Sequence, residues 1–157
     1  MEKQPGTYAL VLHSESNDEI QVGRWGRLRL CPGYYIYIGS AFGPGGLAAR
    51  VGRHLRRDKT KRWHIDYLRA YSTPNCVWCS YAPDRLEHRW AQALAAQSDK
   101  EGITGFGCSD CSCPTHLFYA AAKPNLASLG GVFAGAVAAW DCEQSAGARP
   151  QSDKEPA

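Results

Sequence analysis

In the stretch YYIYIGSAFGPGGLAARVGRHLRR, Tyr34 to Arg57, the hydrophobic period changes once. Tyrosine and isoleucine fill Tyr34–Ile38 and stop at Gly39, a composition that suits a central, well-packed strand. The Gly/Pro-rich SAFGPGG cannot continue that strand. From Leu47 the period becomes helical, because Leu47, Val51 and Leu55 at i, i+4 and i+8 form one apolar stripe. Arg50, His54 and Arg57 share another face of the same helix. The unit is strand, loop, basic helix. Ile36, Ile38, Leu47, Val51 and Leu55 are its expected core, and Tyr37 and Arg50 its candidates for facing an anion. A Gly-rich turn before a helix can offer backbone N–H groups to a phosphate. Turn geometry explains these glycines equally well, and without GxxxxGK[ST] nucleoside triphosphate binding is not indicated.

The elements on either side fit a mixed fold. GTYALVLH (Gly6–His13) reads as a strand, and the alternation in EIQVGRWGRLRL (Glu19–Leu30) as a half-buried strand pair. WHIDYLRA (Trp63–Ala70) reads as a second helix with Ile65 and Leu68 as its apolar pair. NCVWCSYA reads as a strand. Asp84 is expected to cap the next helix, with Glu87 completing a capping box and Leu86, Trp90, Ala93 and Leu94 facing inward. A Gly/Cys-rich loop (Gly102–Pro114) leads into the strand-like THLFYAAA, and Leu126–Trp140 reads as an Ala/Gly-rich helix. The expected class is α/β (α+β), a small central antiparallel sheet flanked by helices.

The 157 residues suffice for one domain with a real core. The net charge of +3 is unevenly placed: eight Lys/Arg and two Asp lie between Arg50 and Arg69. Such a cluster is an electrostatic footprint for phosphate-bearing partners, or else a solvated helix face. The start MEKQPGTYALVLHSE has no secretory pattern, so the seven cysteines are expected to be reduced thiols in the cytoplasm. The longest apolar run, GVFAGAVAAW, is about half the ~20 residues that cross a bilayer; no membrane association is expected.

GTY at Gly6–Tyr8, YIG at Tyr37–Gly39, Arg50 on the following helix and Glu87 on a later one resemble the GIY-YIG nuclease superfamily. The phrases PGYYIYIGSAFGPGGLAARVGRHLR, WHIDYLRA, LEHRW and GFGCSDCSCPTHLFY are similar to a poorly characterised branch of it, sometimes fused to endonuclease III-type DNA repair enzymes. The resemblance covers roughly Gly6–Ala120. It implies phosphodiester hydrolysis, with Tyr8 and Tyr37 as paired tyrosines, Arg50 on the phosphate and Glu87 holding one Mg²⁺ or Mn²⁺. The chain departs from the usual pattern in the 28 residues between Tyr8 and Tyr37, which imply an inserted hairpin, and in lacking a match for a late asparagine. The expected domains are a flexible residues 1–5, a nuclease-like domain 6–122, a weakly helical extension 123–143 and a disordered tail 144–157.

The chemistry agrees with these roles. Phosphodiester hydrolysis develops negative charge that a guanidinium and a metal ion can offset. Arginine's planar fork matches phosphate oxygens, a hard carboxylate suits Mg²⁺, and a tyrosine base needs help from nearby positive charge because its pKa is ~10. Each residue also has a plain reading: core aromatics for Tyr8 and Tyr37, a solvated arginine for Arg50, a capping residue for Glu87. His64 is a secondary candidate as proton carrier or phosphate donor, and its i, i+2 spacing from Asp66 sets the two on different faces. Arg53, His54, Arg57, Lys61 and Arg62 are the expected nucleic-acid contacts, with DNA as partner and RNA as the other possibility. One short domain has little room for extended specificity, so a homodimer or a DNA repair partner would add to it. The rival readings are a non-catalytic nucleic-acid-binding module, with Trp63 and Tyr67 stacking on bases, and a zinc-stabilised interaction domain. Cys76-x2-Cys79 and Cys108-x2-Cys111 have zinc spacing, with Cys113 and His116 as spare ligands. In a strand, though, Cys76 and Cys79 point to opposite faces, so zinc is not expected there. Ser109, Asp110 and His116 are expected to border the cleft.

Overall fold

A computed structural model describes residues 1–108, 113–126, 133 and 137–142. The fold is α+β. Its centre is β1 (Gly6–Ser14), which pairs antiparallel with β4 (Gly33–Ala41) on one side and β5 (Thr73–Ser80) on the other. β7 (Leu117–Ala120) and the short β6 (Glu101–Gly102) extend the sheet beyond β4, and β8 (Ala138–Asp141) extends it beyond β5. The order is β6-β7-β4-β1-β5-β8, antiparallel throughout. β2 (Glu19–Val22) and β3 (Gly26–Arg29) form the separate hairpin that occupies the long interval between Tyr8 and Tyr37.

Strand alternation divides the core in two. Tyr8, Leu10, Leu12 and Tyr35 point to one face, covered by the hairpin, α1 (Gly46–Leu55) and α2 (His64–Arg69). Ala9, Val11, Ile36 and Ile38 point to the other, against Trp90 and Leu94 of α3 (Glu87–Ala95). Burying each of the large side chains contributes on the order of 2 kcal/mol. Cys76 and Cys79 pack on opposite faces, as the strand period requires. Among the described residues no helix is long and apolar enough to cross a membrane.

Four local expectations change. Leu55 is 38% exposed rather than core, because α1 ends there and Arg56 is already extended. Asp84 does not cap α3. The helix starts one residue after Leu86, whose N–H donates to Thr7 Oγ1 at 3.2 Å. Ala138–Trp140, expected as the end of the Leu126–Trp140 helix, instead belongs to β8 and pairs with Val77–Cys79 as an edge strand; about half of the expected 123–143 extension and all of the 144–157 tail lie outside the described residues. Finally, the N–H groups of Leu47 and Ala48 at the start of α1 donate to the carbonyls of Gln4 and Glu2. Residues 1–5, expected to be flexible, thus supply the partners of that helix end, and those two amides are not available to a phosphate.

The connection between α1 and α2 is held by a carboxylate. Asp66 accepts both terminal nitrogens of Arg53 at 2.9 Å and the N–H groups of Arg62 and Trp63 at 2.8 and 3.0 Å, with Lys59 Nζ at 3.4 Å. Its side chain has no exposure. Burial alone would raise its pKa, but these donors outweigh burial and hold the carboxyl below the usual range. Removing one partner of such a buried pair strands the other, so Asp66→Ala is expected to cost about 3 kcal/mol or more in urea denaturation. Because the folded pKa lies below the unfolded value near ~3.9, this contribution is complete above that pH and falls away below it; a Asp66→Ala variant as stable as the parent at pH 7 would contradict this account.

Candidate active site

Tyr8, Tyr37, Arg50 and Glu87, spread along the chain, line one cleft of about 370 Å³. β1 and β4 place the two tyrosines. Tyr8 lies opposite Gly39 in the register, and a Cβ at Gly39 would overlap the Tyr8 ring and hydroxyl. The glycine of Tyr37-Ile38-Gly39 therefore makes room for the other tyrosine. The two rings lie 6.4 Å apart, each against His54.

His54, expected on the outward nucleic-acid-binding face, is buried. One turn after Arg50, α1 turns it toward the sheet, where its Nε2 sits 2.6 Å from Tyr8 Oη. Its Nδ1 is buried with no hydrogen-bond partner among the described residues. An unpaired buried lone pair is better tolerated than an unpaired N–H, so the ring proton belongs on Nε2, donated to Tyr8 Oη. Burial, then the charge of Lys59, lowers the His54 pKa to about 3. Burial raises both phenols, Tyr8 also through Tyr37 and Tyr37 also through Glu87, while Arg50 opposes the rise in each. All three groups are therefore neutral at pH 7.

Arg50 lies over the Trp63 ring, its guanidinium 4.6 Å from the centroid, and makes no ion pair among the described residues. Its fork is free for an anion. The other expected nucleic-acid contacts divide. Arg53 also stacks on Trp63, and its guanidinium is engaged by Asp66 and the Thr60 carbonyl. Arg57 falls beyond the end of α1 and lines a separate pocket beside His13 and Tyr71. Lys61 lies outside the cleft, with its ammonium over Tyr67. Arg62 lines the cleft, and so does Arg85, which sequence reasoning missed. His64 also lines it. The Gly107 N–H donates to His64 Nδ1 at 3.0 Å, fixing the proton on Nε2, and burial lowers the pKa of the ring.

Glu87 is the first residue of α3, anchored through the neighbouring Leu86–Thr7 bond. Burial pushes its pKa up, but hydrogen bonds from His116 and Ser40 and the nearby His116 and His88 outweigh burial and lower it. It is ionised at neutral pH. One hard carboxylate beside Arg50, Arg62 and Arg85 fits an Mg²⁺ or Mn²⁺ ion that takes its other oxygens from water and a phosphate. His116 is buried beside this site, with Nδ1 2.9 Å from Glu87 Oε1; Ser109 and Asp110 lie outside the described residues. The paired-cysteine zinc arrangement does not assemble from Cys76 and Cys79, whose faces diverge. His88, Cys113 and His116 instead bring three donor atoms within 4.8 Å of one another. No periodicity marks His88, since its partners come from 25 or more residues away.

A neutral buried His54 has a consequence for stability. The unfolded histidine binds a proton below ~6.5, and the folded one only near pH 3. Stability should therefore fall as pH drops from about 6.5 toward 3. His54→Gln, which cannot titrate, should flatten that part of the pH–stability curve in thermal melts. An unchanged curve would contradict the burial account.

No curated protein and no solved structure matches the chain. The family described as "Domain of unknown function DUF123" matches residues 7–133, most of the sequence, and the chain belongs to that family.

Proposed function

We propose that this protein is a metal-dependent endonuclease of the GIY-YIG type that hydrolyses phosphodiester bonds in DNA, in repair or processing. The observation that carries this reading is the convergence of Tyr8, Tyr37, Arg50 and Glu87 on one arginine-flanked cleft. The cytoplasm is the compartment that suits it, since none of the six described cysteines is in a disulfide.

Arg50, held flat by Trp63, binds the non-bridging oxygens of the scissile phosphate. Arg62 and Arg85 on the cleft wall hold neighbouring phosphates. Tyr8 first loses its own proton to solvent, and the phenolate then receives the proton of the attacking water. Its phenol starts protonated, and two features favour the phenolate: the Arg50 charge and the His54 Nε2–H aimed at the oxygen. Tyr37 and the His64 Nε2–H are neutral donors for phosphate oxygens. Glu87 would hold the Mg²⁺ or Mn²⁺ ion, which supplies Lewis-acid stabilisation of the charge on phosphate.

Labelled single-stranded, duplex and branched DNA should be cut in Mg²⁺ and left intact in EDTA. Tyr8→Phe and Glu87→Gln should abolish cleavage. Arg50→Ala should lower the rate on the order of 100- to 1000-fold, with Arg50→Lys failing to restore the bidentate contact. Because the base is a phenol of raised pKa, the rate should climb by about tenfold per pH unit between roughly 7 and 9. A wild-type chain inert on all substrates, or a Glu87→Gln variant that cuts normally, overturns the assignment. Salt-sensitive DNA binding without cleavage would make the chain a binding module instead.

A further inference from the structure

We propose that His88, Cys113 and His116 bind a zinc ion, at a site separate from the hard-cation position of Glu87. The three residues come from α3, the end of the Gly/Cys-rich loop and the approach to β7. Their donor atoms nevertheless lie within 4.8 Å of one another, and His88 Nδ1 is 2.6 Å from Cys113 Sγ. Three ligand-capable groups brought together across a fold are close enough to share one ion.

The tautomer of His116 supports the assignment independently. Its Nδ1 faces two acceptors, Glu87 Oε1 at 2.9 Å and the Ile38 carbonyl at 3.3 Å. The proton therefore sits on Nδ1, and Nε2 presents a lone pair. A carboxylate and a backbone carbonyl orienting the far nitrogen of an imidazole is the usual outer support of a histidine metal ligand. His116 is buried, so its ring is held in place, while the exposed His88 gives an ion a path in from solvent.

The donor set selects the metal. Two imidazoles and a thiolate suit zinc and reject Mg²⁺, which takes oxygen. Three protein ligands leave a fourth tetrahedral position for water. The bound ion would tie α3 to the loop and to the start of β7. α3 supplies Glu87 and His88 to the cleft wall and the loop supplies Gly107, so the ion would brace that wall.

The test uses the full chain, purified with a non-chelating phosphine reductant and without nucleic acid, so that it reads independently of nuclease activity. Zinc titration should reach one ion per chain. Cobalt(II) in its place should give a thiolate-to-metal charge-transfer band and the strong visible bands of a four-coordinate centre. Cys113→Ser should remove the charge-transfer band. His88→Ala, at an exposed position where the fold is not at risk, should weaken zinc binding by at least about 100-fold, more than the roughly 10- to 100-fold typical of losing an outer-shell partner. Cys31→Ser, exposed and outside the cluster, should bind as the parent does. Absence of stoichiometric zinc, a charge-transfer band that survives Cys113→Ser, or parental affinity in His88→Ala would each overturn the proposal.

Discussion

The arrangement of the cleft depends on the buried carboxylate of Asp66. A charge removed from water must be met by donors in good geometry, and Asp66 meets Arg53, Lys59 and the backbone of Arg62 and Trp63. That demand fixes the path of the chain between α1 and α2. It places Trp63 beneath both Arg50 and Arg53. Nearby, Arg69 and Lys59 bind the carbonyls of His54 and its neighbours at the end of α1, where cations favour the helix dipole. Much of the basic segment thus serves the fold. Arg50 stays outside this network, stacked on Trp63 and in no ion pair among the described residues.

The cleft itself combines neutral interior groups with a charged rim. Tyr8 and His54 are buried and the partly buried Tyr37 packs against both, and desolvation keeps each uncharged. Arg50, Arg62, Arg85 and Glu87 face the opening. An entering phosphate would pair with the rim and displace water, and the lower local dielectric would strengthen every polar contact to it. In the proposed reaction the His54 hydrogen bond would meet the Tyr8 oxygen, where the phenolate charge would form.

How far this was legible in the sequence differs from residue to residue. The change of period at Gly39 located β4 and α1, and alternation located the hairpin and β5. Tyr8, Tyr37, Arg50 and Glu87 stand out through the resemblance to the GIY-YIG superfamily, and they line one cleft. The inward turn of His54 was hidden because two faces of a short basic helix look alike until the sheet is placed. Arg53's ion pair is not legible in the sequence, because its acid, Asp66, lies on another element. β8 was read as helical because an Ala-rich edge strand carries little alternation, and only its pairing with β5 defines it. His88 and Arg85 carry no local pattern at all; their significance arises from what the fold brings next to them.

Glu87 has a second neighbour besides the cleft. One of its oxygens is engaged by His116 while its side chain stays 23% exposed on the cleft wall. An ionised carboxylate in that position can polarise the imidazole on one side and offer oxygen to a hard cation on the other. Were both proposed ions bound, the two demands would not compete for the same metal, because the imidazole–thiolate cluster and the carboxylate differ in softness. They do compete for the same charge. A cation near either site draws electron density from Glu87, so occupation of one would weaken the hold on the other. The orientation of His116 gained through Glu87 works the opposite way, by fixing the carboxylate where the cleft needs it.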